Sequence, residues 1–203
     1  MGKKNKKIDL NNYILVDETE NWLLTEIPSS FCDSEFMQII IFYVLHSPCK
    51  QGSYSPVPLD KYGWTNPWHS KKFKDTLRNI ASFNDETYQY TESHEKFKEL
   101  WESTEIQNNF YDLCEGEFAI FSHVGETNPF LDLFHHIRNA IAHGRFTAKK
   151  HNHNFYIYME DAKTVRGKIA VNARIMLKKS TLIKWIDMIE AGPLEENSEQ
   201  TNQ

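Results

Sequence analysis

The chain has 203 residues, 40% hydrophobic and 13% aromatic, enough apolar material for one well-buried core, and no shift in composition marks a second domain. A formal net charge of −5 argues against a protein that coats nucleic acid nonspecifically, because that needs a broad cationic surface to displace counterions. Three cysteines, Cys32, Cys49 and Cys114, stand apart without a CxxC pair, so neither a disulfide framework nor a thiolate zinc site is suggested and a reducing cytoplasm fits best.

Residues 1–12 read as a basic solvated arm. No apolar stretch of signal-peptide type follows it, and the longest apolar run, "IIIFYVL" at 39–45, is too short for a bilayer, so no membrane association is expected. "DSEFMQIIIFYVLHS" predicts a helix capped by Asp33 or Ser34, stopped by Pro48, and buried because it is apolar on most faces. Residues 47–70 hold four of the seven prolines and no helical period, yet carry Tyr54, Tyr62, Trp64 and Trp68. Those rings either pin an irregular loop to the core or form a base-stacking platform for single-stranded RNA.

Helices are predicted over 70–83, with Phe73, Leu77, Ile80 and Ala81 inward, and over 93–115, closed by Gly116. A third spans 129–143 in "NPFLDLFHHIRNAIAHGRF": Asn128 can cap it, Pro129 suits its first position and Gly144 can take the left-handed exit. The period then changes to two in "NFYIYME" and "KIAVNARIML", a β-hairpin joined by "DAKTVRGK", with Ile169, Val171, Ala173, Ile175 and Leu177 on one face. "STLIKWIDMIEAG" reads as a last helix capped by Ser180 and ended by Gly192, and 193–203 as a polar tail. The expected fold is mainly α, a single-domain helical bundle over 1–203 with one small antiparallel hairpin before the last helix.

From Leu133 to Met159 there is no Asp or Glu, while Arg138, Arg145, Lys149, Lys150 and His135, His136, His143, His151 and His153 all fall there. At about 100° per residue, Phe130, Leu133, Phe134, Ile137 and Ile141 share one helix face and Asp132, His135, His136, Asn139 and His143 the opposite one. Arg138 lies between them, beside Leu131 and Ala142, on a seam of small and aliphatic neighbours that suits a dimer contact.

The segment "RNAIAHG", Arg138 to Gly144, resembles the motif of ribonuclease members of the HEPN superfamily: an Arg, a polar residue, then a His near a helix end. The likeness, to a prokaryotic subgroup, covers roughly residues 90–190. It implies a HEPN-like bundle and a metal-independent endoribonuclease needing no cofactor, with Arg138, Asn139 and His143 at the site. Arg145, His136, Lys149 and Lys150 are the accompanying RNA-binding candidates. Where HEPN toxins paired with nucleotidyltransferases carry a Tyr two residues past the His, this chain has Arg145, so regulation through that Tyr is not implied.

The residue types suit cleavage by the neighbouring 2′-OH, which restricts the substrate to RNA. His143 can serve as acid or base, Arg138 is a permanent fork-shaped phosphate ligand, and Asn139 would orient His143 or hold the phosphate. One motif offers one such His, so a two-fold homodimer with a composite cleft is expected. Related proteins act as toxins or in phage defence, under an antitoxin or another regulatory partner. Plainer roles stand beside these: Arg138 in a surface ion pair with Glu117 or Asp132, His143 bonding the last helix carbonyls, His135 and His136 solvated. Two other functions also stand open, a noncatalytic RNA-binding or interaction module, and a His-ligated metal hydrolase, which lacks HExxH and carboxylates nearby other than Asp132.

Overall fold

The longest regular segments are two strands, β5 (Asn154–Val165) and β6 (Lys168–Lys178), joined by a two-residue turn in which Arg166 and Gly167 both take positive φ. That geometry matches the right-handed twist of the strands it connects. The computed structural model describes residues 9–16, 26–49, 57–104, 110–113, 115–123 and 128–193.

Four further strands build on this hairpin: β1 (Ile14–Val16), β2 (Tyr88–Thr91), β3 (Phe118–Ser122) and β4 (Phe146–His151). The order is β2-β3-β6-β5-β4, with β1 also on β6; β2 and β3 run parallel and every other pair antiparallel. β3 and β1 share one edge of β6 end to end, β3 pairing Met176 to Ala173 and β1 pairing Val171 to Ile169. Asn172 falls between them. On the other edge Asp161 faces Ala173 while Ala162 faces Val171, so Asn172 is the extra residue of a β-bulge.

The bulge reverses which face the strand presents. Ala173, Ile175 and Leu177 enter the larger core, whereas Val171 joins the smaller one opposite. A strict period of two would have kept all four together.

Among the described residues five α-helices flank the sheet: α1 (Ser34–Ile40), which continues as a π-turn over Ile41–Leu45, α2 (Lys71–Ile80), α3 (His94–Ser103), α4 (Pro129–Ala142) and α5 (Lys179–Ala191). Phe73, Leu77, Leu133, Phe134, Ile137 and Trp185 from α2, α4 and α5 pack on Phe121, Ile157 and Ile175. Phe97 and Trp101 of α3 cover the other face, against Phe118, Tyr156, Tyr158 and Met176.

The expectation of a mainly-α, HEPN-like bundle is therefore corrected: the protein is α/β, built on a six-stranded mixed sheet. The missed strands had little signal. β3 is buried at every position and does not alternate, β1 and β2 are three and four residues long, and β4, "FTAKKH", carries two lysines. The helix expected over 93–115 ends at Ser103, where Thr104 turns extended and donates its hydroxyl to the Trp101 carbonyl; Cys114 lies outside the described residues. The apolar helix after Asp33 is not buried all round, since Met37, Ile41 and Leu45 form an open strip four residues apart. α5 starts two residues early, with Lys178 rather than Ser180 at the cap position and no side-chain cap. No described helix is long and apolar enough to cross a membrane.

The aromatic loop is tacked down. Trp64 Nε1 donates to the Ile189 carbonyl at 2.7 Å, Trp68 packs edge-on against Phe73 and Phe134, and the Tyr62 hydroxyl reaches Glu190. Tyr54, residues 1–8 and 194–203 lie outside the described residues. The loop meets the end of α5 at Gly192, whose φ of 75° and ψ of −179° is a region essentially reserved for glycine. An added Cβ would sit 2.4 Å from the Tyr62 carbonyl oxygen. Gly192→Ala is expected to lower unfolding free energy by about 1–3 kcal/mol in urea denaturation, and an unchanged midpoint would contradict this contact.

Candidate functional site

Asn128 sets the start of α4, its Oδ1 accepting the amides of Phe130 at 2.8 Å and Leu131 at 3.4 Å, with Pro129 in the first turn. The helix ends at His143, and Gly144 leaves it with a φ of +67°. The apolar face packs into the larger core as its spacing requires. The opposite face is only partly solvent-facing, because Asp132 and His136 are also buried, against the end of β3 and the middle of β5.

Both ring nitrogens of His136 meet acceptors. Nδ1 lies 2.6 Å from Asp161 Oδ2, and Nε2 lies 3.1 Å from the Ser122 carbonyl oxygen, which can only accept. The imidazolium is the form that satisfies both. Burial alone would push its pKa down, but the hydrogen bond and charge of Asp161, with the Asp132 charge behind them, leave it raised. For Asp161, burial pushes up and the His136 partnership outweighs it, so the carboxyl is lowered.

The same carboxylate holds the motif expected from sequence. Asn139 Nδ2 donates to Asp161 Oδ2 at 3.4 Å, and Asn139 Oδ1 accepts from Arg138 Nη1 at 2.8 Å. A continuous set of contacts thus runs from the Ser122 carbonyl through His136, Asp161 and Asn139 to Arg138. Arg138 and Asn139 are half-buried, and His143, one turn on, is exposed, its amide donating to the Asn139 carbonyl at 3.0 Å. A guanidinium held by a carboxylate-fixed amide near a helix end can hold a phosphate oxygen, and the exposed imidazole one turn after that amide can exchange a proton.

The other sequence candidates disperse. His136 is interior, a positioning group rather than part of an open basic strip. Arg145 pairs with Glu160, a fully buried carboxylate that also accepts Arg174 Nε at 2.9 Å, and Arg174 lies 4.4 Å from the Trp101 ring centroid. Lys149 and Lys150 are neighbours on β4 and reach opposite faces, Lys149 over Tyr111 and Lys150 over Phe155, about 10 Å along the strand from Phe146. Asp132 is held by His123 Nδ1 at 2.5 Å, and Glu117 accepts the Lys178 amide at 2.7 Å.

Sequence reasoning missed Asp161, which it placed in the hairpin connection, and the groups next to it. His94 Nδ1 lies 3.4 Å from the Ser122 hydroxyl and Nε2 lies 3.0 Å from Lys163 Nζ. Burial, then the Lys163 charge, pushes His94 down to about 4, so this ring is neutral where His136 is charged. No local pattern flags such contacts between distant segments. Among the described residues no three His, Cys, Asp or Glu stand close enough to hold a metal ion. Comparison with known protein families, with characterised proteins and with solved structures finds no match to this chain.

The buried pair makes a pH-dependent prediction. A raised His136 contributes stability that is full below its unfolded value of about 6.5 and lost as pH rises through the folded value. A lowered Asp161 contributes stability that is full above about 3.9 and lost as pH falls through its folded value. Asp161→Asn should therefore cost about 3 kcal/mol between roughly pH 4 and 6.5, and progressively less above. His94 acts in the opposite sense, weakening the fold as pH falls from about 6.5 towards 4, but equally in both proteins. Urea midpoints across pH measure the difference; a cost that does not vary with pH would contradict the charged pair.

Proposed function

We propose that the protein is a metal-independent endoribonuclease whose site is the carboxyl end of α4. The observation that carries this reading is the bracing of Arg138 by Asn139, and of Asn139 by the buried Asp161–His136 pair, next to an exposed His143. A guanidinium held at fixed orientation stabilises charge that develops on phosphorus without reorganising during the reaction. His143 would take the 2′-hydroxyl proton or deliver one to the departing 5′-oxygen. The ring is free to approach a substrate because it lies beyond the last helical residue.

One protomer supplies one such imidazole, so acid and base together call for a homodimer in which two α4 ends face each other. RNA is the substrate, since the attacking hydroxyl belongs to the ribose. The likeness of "RNAIAHG" to HEPN ribonuclease motifs supports the chemistry, although the bundle it implied is not the fold. By the same likeness, a toxin or phage-defence role in the cytoplasm, under an antitoxin or other regulatory partner, belongs to this proposal.

Purified protein incubated with total RNA in EDTA is expected to cut it. His143→Ala and Arg138→Ala should each slow cleavage by about 100-fold or more while circular dichroism stays unchanged. Binding without cleavage would replace this reading with a noncatalytic RNA-binding module, cleavage abolished by EDTA would favour a metal hydrolase, and full activity in both variants would remove these residues from the site.

A further inference from the structure

At the other end of α4, a cleft of about 370 Å³ opens between α2, the edge strand β2 and Pro129–Phe130. Three cations line it from one strip of α2, Lys71, Lys74 and Arg78 at i, i+3 and i+7, with the exposed Asp75 carboxylate of the same helix beside them. Facing them are Tyr88 and Tyr90 of β2.

The two tyrosines differ in a useful way. Tyr90 stacks one face on Phe121, with ring centroids 5.7 Å apart, yet remains 43% exposed, which leaves an aromatic platform open. Tyr88 is 7% exposed and its hydroxyl is buried without a hydrogen-bond partner. An orphaned buried hydroxyl costs stability, and at the wall of a cationic cleft it is a donor awaiting an acceptor. The Arg78 guanidinium lies 5.6 Å from the Tyr88 ring centroid and pairs with Asp85 at 2.9 Å. The first amides of α4 are taken by Asn128, so an anion here would be held by side chains rather than by the helix end.

We propose that this cleft binds a nucleotide, free or as one unit of a single strand, with its base on Tyr90 and its phosphate among Lys71, Lys74, Arg78 and the Tyr88 hydroxyl. Cations beside an open aromatic face are the combination that binds phosphorylated bases with little sequence preference. Cations alone would suit any anion, and the ring alone any flat apolar group. A carboxylate at the rim, Asp85, is fully exposed and can turn to accept a ribose hydroxyl. α4 has 14 residues, which sets the cleft about 20 Å from His143, so the site is separate and its occupancy does not depend on whether His143 cleaves RNA.

Calorimetry on the full chain with 5′-AMP, adenosine, inorganic phosphate and a 5′-phosphorylated adenylate tetramer tests this directly. AMP should bind at least tenfold more tightly than adenosine or phosphate. Tyr90→Ala should weaken AMP about tenfold, Tyr90→Phe should restore it, and Lys74→Ala should weaken it and flatten its salt dependence. Tyr90 is exposed and Lys74 half-buried, and unchanged circular dichroism and urea midpoints establish that both variants are folded. A tetramer that binds more tightly than AMP, and loses that advantage in Tyr90→Ala, identifies a strand; equal affinities identify a free nucleotide. AMP and tetramer both failing to bind, or binding equally well in wild type, Tyr90→Ala and Lys74→Ala, would overturn the proposal.

Discussion

The contact between His136 and Asp161 is the constraint on which the rest of the site depends. A helix whose sequence shows one apolar stripe would rest on a sheet with its polar face in water. α4 instead buries part of its polar face as well, and Asp132 and His136 can be buried there only because each has a partner in place, His136 with Asp161 and Asp132 with His123. Replacing such a pair with apolar side chains is often neutral or stabilising, so its presence is not explained by stability. Its effect is directional. It fixes the rotation of α4 about its own axis relative to β5, and through Asn139 it fixes where Arg138 points.

The β-bulge at Asn172 belongs to the same arrangement. Asp161 is the last residue of β5 before the register shifts, so the strand ends its regular pairing where its carboxylate meets α4. Beyond this point the strand pair changes faces, and Lys163 extends to His94 at the start of α3. Two histidines that contact the same residue, Ser122, therefore occupy opposite charge states, one beside a carboxylate and one beside an ammonium.

What was legible in the sequence is what depends on neighbours along the chain. Asp33 and Asn128 cap their helices through the expected side chains, Gly144 exits left-handed as its residue type allows, and the expected hairpin forms, though its connection is only Arg166 and Gly167 rather than all of "DAKTVRGK". Arg138 and Asn139 stand out in the sequence, but their contact with each other does not, since neighbouring helix positions do not ordinarily face one another. Asp161 does not stand out either: it is 22 residues from Asn139 and is brought there by the length of β5. The sheet was missed for a related reason, since "FAIFS" buried on both faces carries no alternation, and edge strands as short as "YQYT" acquire meaning only from the strand beside them. Arg145 illustrates the converse, a cation that read as surface charge but neutralises Glu160 in the interior.

Nitrogen NMR of histidine-labelled protein measures the central contact without reference to activity or to folding free energy. At about pH 6, below the ordinary histidine value, His136 is expected to show both ring nitrogens protonated, with Nδ1–H hydrogen-bonded, and Asp161→Asn to convert the ring to a single neutral tautomer. A neutral His136 in the wild-type protein at that pH would contradict the charged pair, and with it the reason given for the orientation of Arg138.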